Sequence, residues 1–319
     1  MQSGRKDLGY IEWRWQPHGC DFPSFDARKM LEWNRNGRIV FVGDSIGRNQ
    51  WESLVCMLAP VVSNKSAIYE ENGSPISKHN GFLSMRFQPY NLTVEYYRSP
   101  FLVLAGRPPN GSPDKVKATI RVDELHWYSK KWAGAEVLIF NVGHWWNEDK
   151  TTKLGFYFQE NGKLNMTMPL MEAFRKSLEA WKLWAMKNID TKKSHVFFRS
   201  YSPVHYIQGK WDDGGSCDTK TEPETNAVPD EHTEFNDHIA DVVGGMNNTR
   251  KVQFLNITYL SEFRTDAHPS KYREPGTPPE APQDCSHWCL PGVPDTWNEI
   301  LYAQLLSARS RKEPRGVHL

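Results

Sequence analysis

The chain has 319 residues, 39 Lys+Arg against 38 Asp+Glu for a net charge of +1, and 39% apolar residues. It is too hydrophobic for a disordered or low-complexity chain, and its near-zero charge carries no footprint of a nucleic-acid or polybasic membrane binder. No apolar stretch approaches the roughly 20 residues needed to cross a bilayer, so the chain as given is expected to be soluble.

In chain order, residues 38–42 form a short β-branched strand ending at Gly43, and a helix follows with Trp51, Leu54, Val55 and Leu58 on one face. Two further strand-like runs, 93–97 and 101–104, precede a Gly/Pro-rich loop at 106–113. They predict a minor lobe beside the sheet, an insertion over about residues 60–130. Residues 136–140 read as a second buried strand, and 168–189 as an amphipathic helix with Met171, Phe174, Leu178, Trp181 and Ala185 on its apolar stripe. A strand at 194–198, a helix at 233–243 and a strand at 252–257 come next. The Pro-rich run 274–283 is a loop, and 296–306 is a closing helix with Asp295 as its candidate N-cap. This alternation predicts a single α/β domain with a mainly parallel sheet covered by helices on both faces.

Two features bear on compartment and ligand. Seven N-glycosylation patterns, at Asn64, Asn72, Asn91, Asn110, Asn165, Asn247 and Asn256, exceed the chance expectation on the order of two and point to a secretory-pathway lumen. The 13 Trp are about three times the usual share, and Trp stacks well on sugar rings, although core packing accounts for most tryptophans.

Gly43-Asp44-Ser45 falls where the first strand gives way to a helix. A serine there presents its hydroxyl at the carboxyl edge of the sheet, beside helix N–H groups that can hold an oxyanion; an ordinary Asp-Ser cap is the competing reading. A serine nucleophile needs a base held in its tautomer by a carboxylate, and Asp284-Cys-Ser-His287 supplies that pair on one tight turn. His268, Asp284 and His287 lack strong metal-ligand spacing, so no metal is expected.

The block Gly43-Asp-Ser-Ile-Gly-Arg-Asn-Gln50, together with the stretch from Asp284 to Asn298, resembles the plant trichome birefringence-like family. These are polysaccharide O-acetyltransferases of the PC-esterase group, related to GDSL/SGNH hydrolases. Trp13-Arg-Trp-Gln-Pro17, Asn141-Val-Gly-His-Trp-Trp146, Phe198-Arg-Ser-Tyr-Ser-Pro-Val-His205 and His268-Pro-Ser-Lys-Tyr-Arg273 extend the resemblance over about residues 7–306. It implies an SGNH-hydrolase-like fold in one catalytic domain over 1–319, with Ser45 as nucleophile, His287 as general base and Asp284 as its partner. The implied reaction is acetyl transfer by double displacement to a plant cell-wall polysaccharide. Xylan is favoured on base rate over mannan, xyloglucan or pectin; an acetylesterase with the same triad and a non-catalytic polysaccharide binder are the alternatives.

For the oxyanion, the Ser45 N–H with Arg48 or Asn141 is expected, against a surface arginine and an Asx turn as the bland readings. Trp145, Trp146 and Trp288 are the sugar-stacking candidates, and Arg199 and His205 the candidates for lining the groove; structural core competes for all five. No bound cofactor is expected, and the acetyl donor, acetyl-CoA or another acetyl carrier, leaves no Gly-rich cradle in the sequence. The resemblance further implies a Golgi-lumenal setting, with an upstream anchor and Cys-containing segment that this chain lacks. On that basis Cys217 is expected to pair with Cys285, while Cys20, Cys56 and Cys289 look to upstream partners.

Overall fold

A computed structural model of the chain describes residues 4–77, 79–226, 233–246, 252–272, 276–278 and 280–310. The chain begins with α1 (Ala27–Trp33), β1 (Arg38–Gly43), α2 (Ser45–Leu58), β2 (Ile68–Glu70), β3 (Phe82–Phe87) and β4 (Leu92–Arg98). Then come β5 (Val103–Gly106), β6 (Ala118–Leu125), α3 (Ser129–Trp132), β7 (Val137–Phe140), β8 (Phe156–Glu160) and β9 (Lys163–Asn165). It closes with α4 (Leu170–Asn188), β10 (His195–Arg199), α5 (Thr233–Gly244), β11 (Val252–Leu255), α6 (Thr258–Glu262) and α7 (Val293–Ser310).

The four strands read as buried runs lie side by side. They belong to a seven-stranded sheet of order β11-β10-β7-β1-β4-β3-β2, parallel from β11 to β4 and antiparallel at the β3 and β2 edge. Period-2 alternation divides the core. Ile39, Phe41, Val137, Ile139 and Phe197 face α1, α2 and α7, whereas Val40, Val42, Leu138, Phe140, Val196 and Phe198 face α4 and α5. Each fully buried Leu, Ile or Phe of such rows contributes about 1.5–3 kcal/mol, so both faces are strongly specified.

The expected minor lobe is divided differently. Residues 68–98 enlarge the main sheet, and the separate four-stranded sheet of order β5-β6-β8-β9 draws two strands from beyond residue 130. β4, read as part of the lobe, is an internal strand of the main sheet with a buried acid. Glu95, 5% exposed, is held there by Arg38 at 2.7 and 2.8 Å and by the Thr93 and Tyr97 hydroxyls, which makes the buried charge tolerable.

The closing helix begins at Val293 rather than Thr296. Pro294 fits the first turn, where its missing N–H costs no intrahelical hydrogen bond, and Asp295 is not the cap but accepts from the Gly292 N–H at 3.0 Å. α7 then docks on α2 through a buried polar seam. The Asn298 amide donates to the Gln50 carbonyl and to Ser53 Oγ, the Gln50 amide donates to Asn298 Oδ1, and Ser53 donates to Asp295.

β1 leads to β4 on one side and has β7 on the other, so chain direction across the sheet reverses at β1. In doubly wound sheets the crevice outside the carboxyl ends at such a point is where ligands bind. Ser45 stands there, as the first residue of α2.

Candidate active site

The polar residues that flank Ser45 have structural tasks. Asp44 is the N-cap, and its Oδ1 accepts the Ile46 N–H at 3.0 Å, the Gly47 N–H at 3.4 Å and the Asn141 amide at 2.6 Å. This leaves the Ser45 N–H without an acceptor among the described residues. Gly43 and Gly47 are glycines because Asn141 fills their side-chain space: a Cβ on either would lie 2.0 Å from Asn141 Oδ1. Replacing Gly47 by alanine should therefore dislodge the Asn141–Asp44 bond and destabilise the fold by about 1–3 kcal/mol, measurable by denaturant titration. Asn49 clasps the far end of the chain, donating to the Trp288 carbonyl at 3.1 Å and accepting the Trp288 N–H at 2.8 Å.

That clasp sets the turn carrying Asp284 and His287 over Ser45. The Ser45 Oγ lies 2.8 Å from His287 Nε2, and His287 Nδ1 lies 3.0 Å from both Asp284 carboxylate oxygens. A carboxylate only accepts, so the proton sits on Nδ1 and the bare Nε2 accepts from the serine hydroxyl. Burial opposes ionisation of Asp284, but the His287 charge and hydrogen bonds from His287 and Ser286 outweigh it and hold the carboxyl well below its usual range. Burial likewise works against an imidazolium at His287, and the Asp284 carboxylate overcomes it, raising the pKa above the ordinary 6.5. A hydroxyl, imidazole and carboxylate in this relay can attack an acyl carbon at neutral pH.

The turn is fixed from behind as well. Asp284 exchanges backbone hydrogen bonds with Ser270 at 2.9 and 3.0 Å, Cys285 forms a disulfide with Cys217, and the His205 N–H meets the Cys285 carbonyl at 3.0 Å. Below it, His268 Nδ1 lies 2.6 Å from the His287 carbonyl and His205 Nδ1 lies 2.7 Å from His268 Nε2. A carbonyl only accepts, so His268 Nδ1 donates upward and its Nε2 accepts a hydrogen bond from the His205 Nδ1–H. Burial first of all pushes both histidines down, to about 4 for His268 and about 2 for His205, so the pair is neutral. His268→Ala should leave the carbonyl and the His205 N–H unpaired, lowering stability by about 1–3 kcal/mol in a thermal or denaturant melt.

The triad opens into a cleft of about 630 Å³, walled by Arg48, Tyr96, Arg98, Trp145, Tyr206, Trp211 and Tyr272 among others. Across residues 22–304 the chain matches the PC-Esterase family, a GDSL/SGNH-like acyl-esterase family found in Pmr5 and Cas1p. The chain belongs to the PC-esterase family. It is 64% identical over 314 residues to Protein trichome birefringence-like 9 of Arabidopsis thaliana, which covers 97% of this chain and 76% of that protein. Protein trichome birefringence-like 6 of the same plant is 44% identical, and the match covers 65% of it. Xylan O-acetyltransferase 7 of Oryza sativa subsp. japonica is 37% identical over 339 residues, 96% of this chain and 54% of that protein. This PC-esterase chain thus stands among the trichome birefringence-like proteins and spans about half to three quarters of the length of these relatives.

Several expectations for this PC-esterase are corrected. Asn141 is 3% exposed and gives its amide to Asp44, so it faces the helix cap and not the cleft. Trp146, 1% exposed, is packed among Phe101, Phe158 and Phe174, and its neighbour Trp145 takes the cleft position. Trp288 borders the cleft, but its indole is 2% exposed and donates to Ser202 Oγ at 2.8 Å, so it offers no stacking face. Arg199 does not line the groove. Strand alternation puts it on the Phe197 side beneath α2, where it is fully buried, donates to the Ile46 carbonyl at 3.2 Å and lies over Trp297. Burial pulls its pKa down to about 10, against the pull of Asp44. His205 supports the turn from below instead of meeting the groove, and His268, tied to the His205 ring and the His287 carbonyl, does not converge with Asp284 and His287 on a metal position. Arg48 lines the cleft, with Nη1 bridged to Glu52 at 2.5 Å.

Asn49, Tyr96, Arg98, Tyr206, Trp211 and Tyr272 are among the cleft residues that sequence reasoning missed. Only Asn49 carried a local signal, lying one helical turn after Ser45 on the same face. The disulfide between Cys217 and Cys285 is present, Cys20 and Cys56 are exposed thiols, and Cys289 is buried outside any disulfide. Asn64, Asn72, Asn91, Asn110, Asn165 and Asn256 are exposed, whereas Asn247 lies outside the described residues.

Proposed function

We propose that this chain is a polysaccharide O-acetyltransferase working through an acetyl-Ser45 intermediate. The observation that carries the reading is the 2.8 Å contact of Ser45 Oγ with an imidazole whose other nitrogen is held by Asp284. In the first half-reaction the Ser45 oxygen bonds to the acetyl carbon while the bond to the donor's carrier breaks, and the serine proton passes through His287 to the carrier. In the second, a sugar hydroxyl attacks the acetyl carbon, its proton goes to His287 and then to Ser45 Oγ, and the ester leaves on the sugar. The oxyanion of each step is assigned to the unpartnered Ser45 N–H, in a cleft that Arg48 also lines.

A plant cell-wall polysaccharide is the acceptor class we favour, and xylan is the first to try, since one relative bears the name Xylan O-acetyltransferase 7. The six exposed glycosylation patterns support action in the Golgi lumen, where the longer relatives' extra length leaves room for a membrane anchor. Acetyl-CoA or another acetyl carrier would supply the group.

The test is to incubate the purified protein with acetyl-CoA or an aryl acetate and with deacetylated xylan, mannan and pectin oligosaccharides, following the acetylated products by mass spectrometry. Acetylated oligosaccharide is expected. Acetate release from acetylated polymer without transfer would identify an acetylesterase, and binding without turnover would identify a lectin-like protein.

A further inference from the structure

The cleft carries an uncompensated positive charge at one place. Arg98 ends β4, in register with Gly43 and hence beside the strand end that bears Ser45. Its guanidinium lies 5.3 Å from the centre of the Trp145 ring and has no carboxylate within ion-pair distance among the described residues. The Lys150 ammonium stands 5.9 Å from Trp145 and 4.9 Å from Trp211, so one cation lies against both cleft indoles. It too lacks a carboxylate partner among the described residues. The carboxylates nearby are occupied: Glu52 by Arg48, Asp284 by His287, and Asp149 by Lys153 and the Trp211 indole N–H.

A cation set against an indole face with no carboxylate in ion-pair contact keeps its attraction for an incoming anion. The surrounding walls are aromatic: Trp145 is fixed edge-on by buried Phe101, and Tyr206, Trp211 and Tyr272 line the same cleft. Aromatic walls suit the apolar face of a sugar ring, and a guanidinium suits a carboxylate, which it can bind with two parallel hydrogen bonds. A phosphate-bearing donor is the other anion that could use these charges. Phosphates, however, are usually cradled by main-chain N–H groups at a glycine-rich turn or helix start, and Arg98 and Lys150 sit on a strand end and a short turn.

We infer that Arg98, with Lys150, forms a subsite for the carboxylate of a uronic acid residue in the acceptor chain. The inference rests on the cleft being the polysaccharide site proposed above. Its sources are a galacturonan backbone or a glucuronic acid branch on an otherwise neutral chain, and both present the same group.

Calorimetric binding to the whole chain tests this without requiring turnover. The probes are oligogalacturonides, glucuronate-branched xylo-oligosaccharides, the carboxyl-reduced form of each, and CoA. At least one uronate probe should bind about tenfold or more tighter than its reduced form, with the margin shrinking as salt rises. Arg98→Gln should erase that margin and leave the affinity for the reduced form unchanged. The probe with the larger margin identifies the source. Equal affinity for acidic and reduced forms, or binding of neither, overturns the subsite, and because ligand reduction leaves the protein untouched, this result does not depend on a variant folding. An Arg98→Gln protein that loses CoA affinity but keeps its uronate margin also overturns it, in favour of a donor site. A uronate margin in a protein that transfers no acetyl group to any acceptor would retain the subsite and reject the acetyltransferase reading.

Discussion

Ser45→Ala is expected to reduce acetyl transfer by about 10⁴- to 10⁶-fold in kcat while leaving oligosaccharide affinity within a few-fold of the parent. The large loss follows from covalent catalysis. Without Oγ there is no acetyl-enzyme, and the remaining His287 and Ser45 backbone N–H can only assist direct attack. The small structural effect follows from the surroundings: the Asp44 cap bonds to the Ile46 and Gly47 N–H groups, and the clasp on Trp288 is made by Asn49, so none of these depends on the serine hydroxyl. Labelling with an active-site fluorophosphonate should likewise vanish in the variant and fall on Ser45 in the parent. Retained turnover in Ser45→Ala would sink the double-displacement mechanism.

Asp284→Asn should be nearly as severe, about 10⁴-fold in kcat, because an amide that donates toward Nδ1 reverses the tautomer and leaves a proton on the nitrogen that must accept from Ser45. A pH profile separates this from simple unfolding. In the parent the working form of His287 is neutral, so kcat/KM should rise with pH along a limb centred above 6.5, since Asp284 raises the imidazole pKa despite burial. Removing the carboxylate charge leaves burial, which lowers that pKa, to act alone, so the limb of the residual activity should shift to lower pH. A limb that stays in place in Asp284→Asn would show that the carboxylate does not govern His287.

Those two residues were legible because their signals are local: a serine at the end of a β-branched run, and an acid three residues before a histidine. The four buried strands were equally plain, and they proved to be neighbours in one parallel block. What the chain order hid was orientation. In Trp145-Trp146 two identical side chains follow one another, and only packing decides that one is walled in by phenylalanines while the other faces the cleft. Arg199 ends a strand at the catalytic edge, yet alternation turns it under α2. The strand at 93–97 was legible, but its place inside the main sheet was not, because the Arg38 that pairs its buried Glu95 is 57 residues away in the chain. Asn49 and Asn298 look like ordinary helix polar residues until the opposing segment is in place.

The clasp between Asn49 and Trp288 spans 239 positions, and the Ser45–His287 contact spans 242. The two halves of the triad are therefore far apart in the chain and meet only through the folding of the segments between them. Long-range closures of this kind form late, because their loop entropy is offset only by contacts that are already native. Reactivity of Ser45 is thus a clock for completed folding: in refolding or chain elongation, secondary structure should be in place before the serine becomes labelled. A nascent chain that has not yet delivered the turn carrying Asp284 and His287 has a capped but unarmed hydroxyl, protected from premature acylation by the absence of its base.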